Sequence, residues 1–267
     1  MDYFQAVILA IIEGITEFLP ISSTGHMVIA SSLMGIAKDD FTKLFEIVIQ
    51  LAAILSVVVI YWRKFFDFTR IQFYIKLIIA VIPALIIGGF FKKHIEAMLE
   101  TPIFIAIIMV VGGIILLFVD QWFKKPTIVD ENEISNKKAL TIGFYQTLAV
   151  IFPGLSRSAA TIIGGMQQGL TRKMAAEFSF FLAVPTMMAA TIKSIYDVYK
   201  DSPEVLSTNN FRILAVGNII AFVVAYASIK FFINFLTKNG FKLFGYYRIV
   251  LGVTIVVVNY FHPLFVF

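Results

Sequence analysis

Residues 13–26 read EGITEFLPISSTGH and lie between AVILAII (6–12) and MVIA (27–30). Two carboxylates, two serines, two threonines and a histidine thus interrupt a run whose flanks call for lipid or a buried helix. A charge at membrane depth costs about 3 kcal/mol or more unless it is paired or lines a watery cavity. Such an interruption is a functional site by default. A second polar run, FPGLSRSAAT (152–161), follows about half a chain later and carries an arginine.

Composition sets the solvent. The chain is 59% hydrophobic and 15% charged, with a mean hydropathy of +0.88; a soluble domain holds roughly 45–50% apolar and about 25% charged residues. The fold class expected is an all-α polytopic membrane protein. Met1-Asp2 is acidic, with no basic region of a cleavable signal, so the first apolar segment is expected to remain. There is no cysteine, which excludes disulfide and thiol chemistry. The net charge of +5 suits cytoplasmic loops and anionic headgroups, with no nucleic acid as partner.

A span needs about 20 mostly apolar residues. Six segments qualify, near 45–62, 74–91, 103–123, 177–198, 211–237 and 245–262. Residues 4–36 and 139–170 do not read as simple spans. Each is broken centrally, at Pro20 and Pro153, into halves of the length found in re-entrant helical hairpins. With both hairpins re-entrant, the loops near 63–76, 124–138, 171–176 and 238–248 share one side. They carry Arg63, Lys64, Arg70, Lys76, Lys124, Lys125, Lys137, Lys138, Arg172, Lys173, Lys238, Lys242 and Arg248. The other side carries Lys38, Lys43, Lys92, Lys93, Lys200 and Arg212. Thirteen against six makes the first side cytoplasmic. Both termini and the first hairpin then face outward, and the second hairpin opens inward.

An internal repeat accompanies this layout. Glu13, Pro20 and Ser23 align with Gln146, Pro153 and Ser156 at an offset of 133 residues. Three intervening spans give the halves opposite orientation, the inverted-topology repeat that places sites near the midplane. The chain is expected to form one integral membrane domain over 1–267, with halves of about 1–123 and 139–267 and a linker at 124–138.

The candidate chemistry lies in the two hairpins. Glu13 and Glu17 share a helical face, where like charges raise one pKa unless a cation compensates. Either is a candidate base, and together they could hold Mg²⁺ or Ca²⁺. Ser22, Ser23, Thr24, Gly25 and His26 follow the first break. Hydroxyls and free N–H groups at a helix start cradle anions, or simply cap the helix. Ser23 is a candidate nucleophile and His26 a proton carrier. Arg157 could grip phosphate oxygens in a two-pronged hold, or serve only as counter-ion to the carboxylates. Gly154, Ser156, Ser158 and Thr161 could add donors to the same anion or pack the helix. Glu46, Gln50 and Glu177 stand at span starts, with binding and structural readings equally open. The tyrosines, Trp62, Trp122, His94 and His262 read as interfacial belt or loop. No His/Cys/Asp cluster has zinc spacing.

EGITEFLPISSTGH and PGLSRSAAT, half a chain apart, resemble the two motifs of the undecaprenyl-diphosphate phosphatase (bacitracin-resistance protein) family, and the resemblance covers the whole chain. It implies hydrolysis of undecaprenyl diphosphate to undecaprenyl phosphate and inorganic phosphate, which recycles the lipid carrier of wall synthesis. It also implies a bacterial inner-membrane location and a site open to the outer (periplasmic) face. Carried over by motif position, the essential residues are Glu13, Glu17, Ser22, Ser23, Thr24, His26 and Arg157, supported by Ser156 and Ser158. The expected partners are a polyprenyl diphosphate and membrane lipids, with a homodimer left open and no organic cofactor. Three rivals stand beside this reading. Midplane charges in inverted repeats also suit a polyprenyl-phosphate transporter or flippase. A non-enzymatic lipid-binding scaffold would tolerate loss of Glu17 and Arg157. The histidine-nucleophile lipid phosphatases need a histidine soon after Ser-Arg, and none follows Ser156-Arg157 before His262.

Overall fold

The computed structural model describes residues 1–124 and 126–261, apart from the side chains of Lys92, Lys93 and Glu96. The readings placed on those two lysines, Lys125 and His262 lie outside the described residues. The helices are α1 (Tyr3–Thr16), α2 (Ser23–Leu33), α3 (Asp40–Ile60), α4 (Trp62–Phe65), α5 (Ile71–Phe90), α6 (Lys92–Leu99), α7 (Pro102–Trp122), α8 (Asn136–Ile151), α9 (Arg157–Gln167), α10 (Arg172–Asp201), α11 (Thr208–Asn239) and α12 (Lys242–Phe261). Among the described residues there is no named strand, only an isolated bridge between Ile128 and Leu170.

Six helices are long and apolar enough to cross a membrane: α3, α5, α7, α10, α11 and α12. They coincide with the six expected segments and mostly run a few residues longer. Side-chain caps set several starts. Asp39, Thr171 and Ser207 each accept the N–H three residues on, satisfying donors that the first helical turn leaves free. The spans turn Ile78, Ile82, Val111, Ile219 and Val223 outward, an arrangement that lipid tolerates and water does not.

The two broken segments form helix pairs, α1/α2 and α8/α9. Each breaks where expected, with residues 17–22 and 152–156 linking the halves. α1 lies on α11 and α8 on α5, while α3 meets α10 and α7 meets α12. Small residues permit these approaches. A Cβ on Gly14 would come within 2.9 Å of the Ala221 carbonyl oxygen, and one on Gly113 within 2.8 Å of the Gly245 oxygen.

Two of the charges assigned to loops are instead buried within helices. Lys76 is buried in α5, and its Nζ donates to the carbonyl oxygens of Glu131 and Asn132. Arg248 is fully buried in α12. Both find main-chain carbonyls, which no count of loop charges registers, so neither needs water. The linker is also docked. Thr127 and Ile128 donate to the Gly169 oxygen, Thr171 donates back to Ile128, and Glu131 accepts Lys64 and Arg70. Glu177 joins that charged cluster, 3.8 Å from Lys64 and 4.0 Å from Lys173, rather than the polar centre.

Candidate active site

The breaks at Pro20 and Pro153 leave two loops that re-enter helix at serines. Ser22 and Ser156 are the N-caps of α2 and α9, accepting the N–H of Gly25 and Ala159. They are the only non-glycine residues with positive φ among those described, at 71° and 76°. Left-handed backbone strains a residue with a Cβ and collects at functional sites. The structural match is thus Ser22 with Ser156, one residue off the Ser23–Ser156 alignment, because the second loop holds one more residue after its proline. Ser23 and Arg157, the first helical residues, then occupy equivalent places.

Those two residues meet on one carboxylate. Glu17 lies just past α1 and is 5% exposed. Its Oε2 accepts the Ser23 hydroxyl at 2.5 Å, and its Oε1 accepts Arg157 Nη2 at 2.7 Å. Buried carboxylate and guanidinium compensate each other's lost hydration only through such close contacts. Arg157 Nη1 donates to the Ser179 carbonyl oxygen, while the buried Nε–H has no partner. Thr161 braces this arm: its hydroxyl lies 2.6 Å from Ser179 Oγ and donates to the Arg157 carbonyl. Ser158 donates to the Leu19 carbonyl at 2.9 Å and lies 3.0 Å from Ser156 Oγ, tying the second loop to the first.

Gly25 and Gly154 serve close packing on α7. A Cβ at Gly25 would stand 2.8 Å from Met109 Sδ, and one at Gly154, where φ is +97°, 2.6 Å from the Ile105 oxygen. Thr24 is half-buried beside them. His26 is bound at both ring nitrogens. Nδ1 lies 2.7 Å from the Ser22 carbonyl oxygen, and Nε2 lies 2.7 Å from the Tyr247 hydroxyl. A carbonyl only accepts, so Nδ1 carries the proton. In the neutral ring Nε2 then accepts from Tyr247.

Glu13 is fully buried, and neither carboxylate oxygen has a hydrogen-bond partner; Glu46 Oε1 is in the same position. A buried carboxylate left this bare takes a proton or a cation. Among the described residues no group of three or more His, Cys, Asp or Glu converges to hold a metal.

Arg248 and Tyr247 are the residues the sequence reading missed. The Arg248 guanidinium donates to four carbonyls: Met109 at 3.1 Å, Pro20 at 3.1 Å, Leu155 at 2.8 Å and Gly154 at 2.7 Å. One buried cation thereby fastens both loops to α7, and Gly112 makes room for it. The available signal was an overlap: residues 245–248 fall in both the expected span and the expected loop.

Six spans together with a buried carboxylate and hydroxyl, and a half-buried imidazole and guanidinium beside them, define an integral membrane protein with a polar interior site. The sequence profile of the bacitracin resistance protein BacA family matches residues 6–254, and the chain belongs to that family. Among curated relatives, the "Undecaprenyl-diphosphatase" of Flavobacterium psychrophilum is 59% identical over 265 residues, covering 99% of each chain. The proteins of the same name from Flavobacterium johnsoniae and Porphyromonas gingivalis are 55% and 48% identical, covering 99% and 96% of each chain.

Proposed function

We infer that this membrane enzyme hydrolyses undecaprenyl diphosphate to undecaprenyl phosphate and inorganic phosphate, returning the lipid carrier to cell-wall synthesis. The arrangement that carries this reading is the Glu17 carboxylate holding the Ser23 hydroxyl on one oxygen and Arg157 on the other. The comparisons lend no support to a transporter.

In the proposed mechanism Glu17 takes the Ser23 proton as Oγ attacks the terminal phosphorus. The new Oγ–P bond forms as the bond to the bridging oxygen breaks, and undecaprenyl phosphate leaves with that electron pair. Water then attacks the seryl phosphate, releases phosphate and restores Ser23. Phosphoryl transfer rests mainly on positioning and charge stabilisation. Arg157 supplies the charge, with its unspent Nε–H, and the Ser156 hydroxyl, which no carbonyl takes up, adds a donor, while Ser158 holds the second loop to Leu19. A hard divalent cation fits the bare Glu13 beside Glu17. Mg²⁺ is commonly bound by one or two carboxylates together with substrate phosphates, and it would neutralise charge on the transferring phosphoryl.

Inner-membrane location with the site on the outer face is part of this proposal. Without Lys76 and Arg248 the loop charges still favour the inner side, eleven to six. The pairwise helix packing and the matched serine caps support an inverted repeat of two re-entrant hairpins. Purified protein should release inorganic phosphate from undecaprenyl diphosphate. Undiminished turnover by Ser23→Ala would remove Ser23 as nucleophile.

A further inference from the structure

His26 has no ring nitrogen to offer the reaction directly. Nδ1 is spent on the Ser22 carbonyl and Nε2 on Tyr247, while Ser23, next to the cap, is bonded to Glu17 instead. Attack on phosphorus therefore already has its proton acceptor. With the bare Glu13 assigned to a cation, the departing oxygen needs another titratable donor, since serine, threonine and arginine side chains do not titrate near neutral pH. The Tyr247 hydroxyl meets the outer ring nitrogen of His26 and belongs to a half-exposed residue. The residue is 45% exposed, its ring plane lies within 1° of the imidazole plane, and the centroids are 5.6 Å apart. Its oxygen keeps lone pairs while, beside the neutral ring, its proton points at Nε2.

We propose that Tyr247 relays a proton between His26 and the oxygen of the departing lipid phosphate. Protonated His26 gives its Nε2 proton to the tyrosine oxygen as the tyrosine O–H passes its own proton to the bridging oxygen. One proton enters Tyr247 and one leaves, so the phenol is unchanged and His26 ends neutral. His26 then recovers a proton by the reverse path from water. The charged and titratable groups around His26 are few. α12 presents Tyr247 and the Arg248 guanidinium. Glu17, from the α1 side, is engaged by Ser23 and Arg157. α7 contributes Ile105 and Met109 against Gly25, neither of which titrates.

The inference rests on the phosphatase reading, so the experiment begins with wild-type turnover of undecaprenyl diphosphate. Without that turnover the phosphatase reading fails before the relay is tested. Given turnover, Tyr247→Phe removes only the hydroxyl from a half-exposed ring and should fold. The expected result is a fall in kcat of about 100-fold, the usual scale of positioned proton transfer, with KM within about twofold. The alkaline limb of the wild-type kcat profile, where His26 loses its proton, should flatten. Tyr247→Phe combined with His26→Gln should be no slower than the worse single variant. A Tyr247→Phe enzyme with wild-type kcat would overturn the proposal. So would an unchanged alkaline limb, or losses that multiply in the double variant, because a merely packing tyrosine gives those results.

Discussion

The two broken helix pairs use one backbone device for opposite purposes. Each breaks in a loop that holds a proline and restarts at a strained serine cap, Ser22 or Ser156. The first pair carries the carboxylate, the hydroxyl and the imidazole; the second carries the cation. The contrast is sharpest one helix back. Glu13 and Gln146 occupy matching places and both are fully buried. Gln146 exchanges hydrogen bonds with Thr186, at 3.3 and 3.4 Å, whereas neither Glu13 oxygen is bonded. A satisfied amide is inert structure. A bare carboxylate is held in reserve for a proton or a cation. The second pair is therefore built to grip, and the first to react.

Variants can break that division. The largest effect is expected in the reacting half: Ser23→Ala and Glu17→Gln should each cut phosphate release by about 1,000-fold or more, as loss of a nucleophile or its base does. In the gripping half, Arg157→Lys keeps the charge but loses the planar fork, and should cost about 100-fold in kcat/KM. Arg248→Lys should act on both halves at once. One ammonium cannot reach four carbonyls, and each buried carbonyl left unpaired costs about 1–3 kcal/mol. A lower Tm in detergent and about a tenfold loss of turnover are expected. Glu13→Gln should keep Tm while lowering activity about tenfold and weakening any response to Mg²⁺ or Ca²⁺. The reciprocal Gln146→Glu should lower Tm, because it buries a carboxylate without a counter-ion. If Gln146→Glu were silent in thermal unfolding, the two halves would not differ as described. Ser156→Gly relieves the positive φ but removes the cap, and should change activity only a few-fold.

Much of this was legible in the chain. Span number follows from runs of about 20 apolar residues, and the breaks follow from prolines amid polar residues, both local properties. Glu17, Ser23, His26 and Arg157 stood out because polar atoms are rare in such runs. Their partners did not, because pairing is a tertiary fact. The sequence left Arg157 between phosphate grip and counter-ion, and the structure has it bonded to Glu17 with Nε–H to spare. Thr161 looked like a donor for an anion, yet its hydroxyl is spent on α9 and α10. Arg248 was hidden by a rule that counts charges near helix ends without seeing carbonyls, and Tyr247 by the reading of tyrosines as interfacial belt. An arginine at that boundary is read as meeting water, but here two broken loops supply oxygens deep in the protein.

The most direct test of a single site shared by both halves is phosphate release by purified wild type, Glu17→Ala, Arg157→Ala and the double variant, with and without Mg²⁺. Collapse of both single variants, with the double no worse than the poorer single, is the expected result. Near-wild-type turnover by either single variant, or losses that multiply in the double, would contradict it.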